Sequence, residues 1–122
     1  MSKGRLLVVD DEPSVLLTYT LIFNQNGYEV IGAASAAEAK ELLSRETFDV
    51  VLCDLTLESS RGGFDVIEYA RSRRPEVPAM LLTGFSTDEI ADEAAAKSIM
   101  VMFKPVDMQE MLRTIRDLSR RS

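Results

Sequence analysis

The sequence predicts a doubly wound α/β fold: a five-stranded parallel sheet with helices on both faces. Short β-type runs alternate with helical patterns about five times from end to end. The strand runs are mostly continuous blocks of Val, Ile, Leu and Met, as strands covered on both faces are, rather than alternating apolar and polar. Right-handed crossovers between such strands place the helices on the two faces of an open sheet.

The first strand is read at Arg5–Val9. A helix follows from Pro13, suited to a first helical turn, to about Asn26, with Gly27 as its stop. The second strand, Tyr28–Ala33, precedes a helix announced by Ser35 and Glu38. Their spacing is that of a capping box, in which hydroxyl and carboxylate satisfy orphan amides reciprocally. After a third strand at Asp49–Cys53, a helix beginning after Gly63 carries Phe64, Val66, Ile67 and Ala70. The fourth strand, Ala79–Leu82, leads to a helix with Ser86 and Glu89 as its box. The fifth, Ile99–Phe103, leads to a last helix capped by Asp107 with Glu110. There Met108, Met111, Leu112, Ile115 and Leu118 form one apolar stripe at 3.6-residue spacing.

A chain of 122 residues fits one domain, residues 1–122, with a proper core. Hydrophobic residues at 46% and charged residues at 28% give the balance of a soluble globular protein. The early apolar run Leu6–Val9 is too short for a signal-peptide core or a membrane span. Cys53, the single cysteine, has no internal disulfide partner. These features point to an intracellular, cytoplasmic setting. Lys and Arg number 14 against 20 Asp and Glu, a formal charge of -6, which repels nucleic-acid phosphates. The basic clusters Arg71–Arg74 and Arg113–Arg121 read as solvated helix faces. Histidine is absent, which removes histidine triads, histidine metal sites and histidine general bases.

In a doubly wound sheet, ligands bind beyond the carboxyl ends of the strands. Asp10, Asp11 and Glu12 follow the first strand, Asp54 the third, Thr83 the fourth, and Lys104 with Pro105 the fifth. Singly, each has an ordinary reading as a helix cap, turn residue or surface lysine. Acids, a hydroxyl and a lysine at four of five strand ends together point to a site. Two carboxylates ~4 Å apart repel by roughly 4 kcal/mol at an effective dielectric of about 20, so positive charge must offset them. Lys104 supplies one charge, and a hard dication with oxygen ligands, Mg²⁺, supplies the rest. Zinc is disfavoured by the lack of histidine and the single cysteine. A carboxylate beside Mg²⁺, a lysine and a hydroxyl is equipped for nucleophilic attack on phosphorus.

Val8 through Glu12, Asp54 with Leu55, Leu82 through Gly84, and Lys104 with Pro105, in that order and at these separations, resemble the receiver domains of two-component response regulators, the stand-alone chemotaxis regulator among them. The resemblance covers essentially the whole chain. It implies a flavodoxin-like sheet of order 2-1-3-4-5 and Asp54 as the residue phosphorylated by a sensor histidine kinase or phosphotransfer protein. It further implies Asp11 and Asp54 as direct Mg²⁺ ligands, Asp10 acting largely through water, and Thr56 contributing its backbone carbonyl. Lys104 would pair with the phosphoryl group, Thr83 would shift toward it, and a cis bond before Pro105 would aim Lys104 inward. Partners implied are the kinase and a downstream effector or fused output domain. Homodimerisation through the last two helices and the edge strand is also implied. A receiver assists its own phosphorylation and dephosphorylation but turns over no independent substrate.

Three departures from the family pattern stand out. The loop after Asp54 has Glu58 where proline is common and is about one residue longer before Gly63. Val101 replaces the usual switch aromatic, and residues 96–100 replace the usual Gly-Ala-acidic turn. Phe103 shares a sheet face with Val101 and is expected to pack in the ordinary way, with a partner contact as the alternative. Cys53 reads as a small buried strand residue, and the methionines as core filler. The departures motivate a second hypothesis, a phosphorylation-independent interaction module. A third, a small Mg²⁺-dependent phosphohydrolase using Asp54, is disfavoured because Thr56 stands where its second acid belongs. A dinucleotide fold is disfavoured because no glycine-rich turn follows the first strand.

Overall fold

The computed structural model describes residues 2–59, 61–84 and 87–120. Five strands, β1 (Arg5–Val9), β2 (Glu29–Ala33), β3 (Val50–Asp54), β4 (Ala79–Thr83) and β5 (Met100–Phe103), alternate with five helices. These are α1 (Pro13–Gln25), α2 (Ala36–Arg45), α3 (Gly62–Arg73), α4 (Asp88–Ala96) and α5 (Met108–Ser119). The strands are parallel throughout, in the order β2-β1-β3-β4-β5, as the sequence predicts.

Two apolar layers enclose the sheet. Leu6, Val8, Val50, Leu52, Met80, Leu82 and Met102 face one layer with Tyr19 and Phe23 of α1 and Met111, Ile115 and Leu118 of α5. Leu7, Val9, Val51, Cys53 and Leu81 face the other, with Ala39 of α2, Phe64 and Ile67 of α3 and Ala94 of α4. The period of two along each strand makes this division. Burying each Val or Leu side chain contributes about 1.5–3 kcal/mol, and the inner strands β1, β3 and β4 bury such side chains on both faces. Cys53 is a buried free thiol.

The helix starts follow their predicted chemistry. The Ser35 hydroxyl accepts the Glu38 amide at 3.1 Å, and Asp107 accepts the amides of Gln109 and Glu110 at 2.9 and 3.2 Å. The expected Ser86 box lies outside the described residues; α4 is capped by Thr87, whose hydroxyl accepts the Ile90 amide at 3.2 Å. At the end of α1, Gly27 takes the left-handed backbone (φ 95) that lets the chain turn into β2.

Three readings are corrected. The helix α3 starts at Gly62, not after Gly63. A Cβ on Gly62 would lie 1.6 Å from the Leu57 carbonyl oxygen, and one on Gly63 2.6 Å from the Asp54 carbonyl oxygen. Both glycines belong to the helix because its first turn lies directly against the chain leaving β3. The cluster Arg71–Arg74 is not simply a solvated face. Arg71 donates to the carbonyls of Val77, Lys97 and Ser98, and Arg74 to that of Phe48. These long side chains tie helix ends and turns together while their heads satisfy backbone oxygens. Arg121, at the end of the second basic cluster, lies outside the described residues. Finally, Phe103 is 53% exposed, not packed, because β5 is an edge strand and the ring lies at its last residue. The remaining strand bounds differ from those read in the sequence by single residues.

Candidate functional site

The alternation that builds the two layers also builds the site. Val8, Leu52 and Met102 face the α1/α5 layer, so two residues further along come Asp10, Asp54 and Lys104, in the same phase, where the apolar run ends. Ladder bonds continue to this edge and fix the backbone. The Asp10 amide donates to the Ala33 carbonyl at 3.1 Å, Leu55 to Leu82 at 2.8 Å, and Lys104 to Thr83 at 2.8 Å. The Lys104–Pro105 peptide is cis.

Asp54 is buried, and both of its oxygens are engaged. Lys104 Nζ lies 3.3 Å from Oδ2, while the amide and hydroxyl of Thr56 donate to Oδ1 at 3.3 and 3.4 Å. Asp10 is more enclosed, at 2% exposure. Its Oδ1 accepts the Glu12 amide at 2.9 Å. Its Oδ2 is buried with no hydrogen-bond partner among the described residues. Asp11 is exposed, and its Oδ2 receives the Glu58 amide at 3.4 Å. One carboxylate oxygen from each of Asp10, Asp11 and Asp54 falls within 4.8 Å of the others. Thr83 is also buried, but it is in phase with Leu81 and pairs laterally with Phe103. It therefore approaches from the α3/α4 side.

Burial raises the Asp10 carboxyl above its ordinary value. The Glu12 amide opposes this, Asp54 and Asp11 add to it, and Lys104 opposes it. For Lys104 burial acts downward, but the Asp54 carboxylate, then Asp10, hold its ammonium above the ordinary value. Tyr19 on α1 is raised by burial and feels the same charges, lowered by Lys104 and raised by Asp10 and Asp54. Cys53 beside the site is pushed up by burial and by the three aspartates, so it is an inert thiol.

Three carboxylates at this separation repel by roughly 3 kcal/mol per ionised pair at a dielectric of about 20, and one lysine does not balance them. An all-oxygen cluster of three carboxylates, one of them with a buried oxygen lacking a hydrogen-bond partner among the described residues, fits a hard divalent cation. The structure brings Asp10, Asp11, Asp54 and Lys104 of the sequence reading together at one edge. The sequence did not point to Glu58 or Tyr19, since neither stands at a strand end.

A parallel sheet of order 2-1-3-4-5 defines a class, the flavodoxin-like folds, and comparison with known proteins places the chain more closely. The family described as "Response regulator receiver domain" matches residues 6–116, and this chain belongs to that family, the receivers of two-component systems. It is similar to the response regulator protein PilR of Pseudomonas aeruginosa (32% identity, covering 88% of this chain and 24% of that protein). It is also similar to the transcriptional regulatory protein GlrR of Escherichia coli (30% identity, 93% and 26%). The chain spans about a quarter of the length of these relatives. Among solved structures, a CheY-like receiver from Methanospirillum hungatei superposes with a TM-score of 0.87 at 28% identity, covering 95% of this chain and 93% of that one. Vibrio cholerae chemotaxis protein CheY4 does so with 0.85 at 26%, covering 94% and 98%. No helix among the described residues is long and apolar enough to cross a membrane.

Proposed function

We propose that residues 1–122 act as one phosphoacceptor module in which a phosphoryl group passes from the phosphohistidine of a sensor histidine kinase or phosphotransfer protein to Asp54. Asp10, Asp11, Asp54 and the Thr56 carbonyl would hold Mg²⁺. When bound, that ion offsets charge on the acids and on the phosphoryl oxygens. An Asp54 oxygen forms the new bond to phosphorus, while the P–N bond breaks and its electron pair leaves on the imidazole nitrogen. Lys104, already 3.3 Å from Asp54, stabilises the transferring group, and the Thr83 hydroxyl donates to the product. The module assists only its own phosphorylation and dephosphorylation, in the cytoplasm. Its output is a change in which effector, or fused output domain, it engages. With its net negative charge this module does not itself take up nucleic acid.

The observation that carries this reading is the cluster of the Asp10, Asp11 and Asp54 carboxylates, with Asp54 paired to Lys104 and Asp10 keeping a buried oxygen without a hydrogen-bond partner among the described residues. With Mg²⁺ and a small-molecule phosphodonor, wild type is expected to gain one phosphoryl group and Asp54→Asn none. Equal labelling of the two would overturn the assignment. A phosphorylation-independent interaction module remains the second reading, favoured by Val101, which packs into the α3/α4 layer where the family has its moving aromatic. Beryllium fluoride with Mg²⁺ separates the two: amide shifts around Asp54 and α4 support the switch, and none supports the passive module.

A further inference from the structure

The loop between β3 and α3 lacks the proline its family commonly uses for shape, yet it contains a residue in a costly conformation. Glu58 has φ 62, the left-handed region in which an L side chain costs roughly 1–2 kcal/mol. Glu58 is exposed, so packing does not explain this. Two hydrogen bonds in different directions do. Its amide points to Asp11 Oδ2 at 3.4 Å, and its carboxylate accepts the amide of Ala36, the first residue of α2.

The second bond is a helix-end interaction. The first amides of α2 have no intrahelical acceptor and lie at the positive end of its dipole. Ser35 takes the Glu38 amide, and Glu58 takes that of Ala36. The carboxylate is thereby drawn toward α2, while the amide on the same residue is turned to the acids. At the far end of the loop, Arg61 is held by both oxygens of Glu93 on α4, at 2.8 and 2.6 Å. The segment carrying Thr56 is thus anchored to helices on either side.

We infer that Glu58 is a positioning residue for the cation site, an inference that rests on the proposed Mg²⁺ reading. Anchored on α2, it orients the Asp11 carboxylate through its own amide and holds the Thr56 segment in register with Asp54. A hydrogen bond behind a ligand fixes its orientation, and losing one commonly weakens metal binding about 10–100-fold.

The test is Mg²⁺ titration followed by amide NMR shifts, with thermal unfolding of the metal-free proteins alongside. Glu58→Gly removes the carboxylate and adopts the left-handed backbone without cost. Its metal-free midpoint should stay at or above wild type while its Kd for Mg²⁺ rises about tenfold. Glu58→Gln keeps an acceptor for the Ala36 amide and should bind within about twofold of wild type. Ala36→Pro removes the donor instead, at a first helical position that suits proline and after an extended Ser35 (ψ 161). It leaves Glu58 and its charge untouched and should weaken Mg²⁺ in the same direction as Glu58→Gly. Wild-type affinity in Glu58→Gly, or in Ala36→Pro if the first variant fails to fold, overturns the inference. A Kd for Glu58→Gln as weak as that for Glu58→Gly also overturns it, because the effect would then be charge alone. A wild type blind to Mg²⁺ brings down the proposed function itself.

Discussion

Lys104 and Asp54 are 50 residues apart in the chain and meet with Nζ 3.3 Å from Oδ2. The lysine is rooted by its own amide on the Thr83 carbonyl, so its stem leaves the sheet from a fixed point at the end of β5, across β4 from Asp54. Its ammonium is the cation the structure places against Asp54. The consequences of removing it therefore depend on whether a metal is present.

Lys104→Met should destabilise the protein by about 1–2 kcal/mol in metal-free buffer, less than a fully buried pair because the lysine is partly exposed. Saturating Mg²⁺ should restore part of that loss. Urea unfolding with and without Mg²⁺ checks this, and an equal loss in both would show that the cation does not share the acids with Lys104. Because the Lys104 ammonium is held above its ordinary value of 10.5, the pair's contribution is complete below that pH. It fades as pH rises through the raised value.

Asp10→Asn replaces a buried carboxylate, one of whose oxygens has no partner among the described residues, with a neutral amide able to donate to its acidic neighbours. Metal-free stability should rise by about 1 kcal/mol, while the stabilisation by Mg²⁺ seen in wild type should largely disappear. Calorimetry on both proteins with and without Mg²⁺ decides it. Lower stability of the metal-free variant would mean that the charge on Asp10 is already compensated.

Gly63→Ala sets a methyl group 2.6 Å from both the Asp54 carbonyl oxygen and Leu81 Cδ2. The oxygen belongs to rigid backbone, so α3 must shift, at a cost of about 3 kcal/mol. The same shift disturbs the chain leaving Asp54, so phosphodonor labelling should slow as well. A variant as stable as wild type would place the start of α3 further from β3.

Glu93 receives Arg61 on both oxygens and Lys97 on one. Arg61, then Lys97, hold its carboxyl down to about 2, against an ordinary 4.5. A depressed carboxyl contributes fully above its ordinary value, so this clasp between α3 and α4 should persist to about pH 4.5. It should be lost as pH falls toward about 2. A carboxyl NMR titration reads it directly, and Arg61→Ala should move Glu93 back up. An ordinary midpoint in wild type would mean the clasp does not form in solution. High salt should weaken it, since both side chains reach solvent.

What could be read in advance followed from periodicity. Runs such as Val50–Cys53 announce covered strands, and the residues just beyond them, Asp10, Asp54 and Lys104, announce the site because strand ends in such sheets share an edge. Glu58 could not be found this way. Its partner is a backbone amide on another element, and no side-chain pattern marks a left-handed glutamate. Arg71 was equally hidden, because the carbonyls of Lys97 and Ser98 that it binds come from a turn whose left-handed Ser98 (φ 55) has no glycine to flag it. The start of α3 lies earlier than the sequence suggests, since glycine usually stands outside helices, and only the nearness of Leu57 and Asp54 makes it the one residue that fits.

Thr83 and Phe103 are the last paired residues of β4 and β5, so Lys104 follows directly, and the length of β5 as well as the identity of its residues decides where the ammonium turns. One residue added or removed within Met100–Phe103 would rotate the ammonium to the other side of the sheet and exchange Met102 for its exposed neighbour. Insertions, tags or hinges are better carried by turns at the opposite rim, such as residues 46–49 or 74–78, where a change of length leaves the phase of every acid intact.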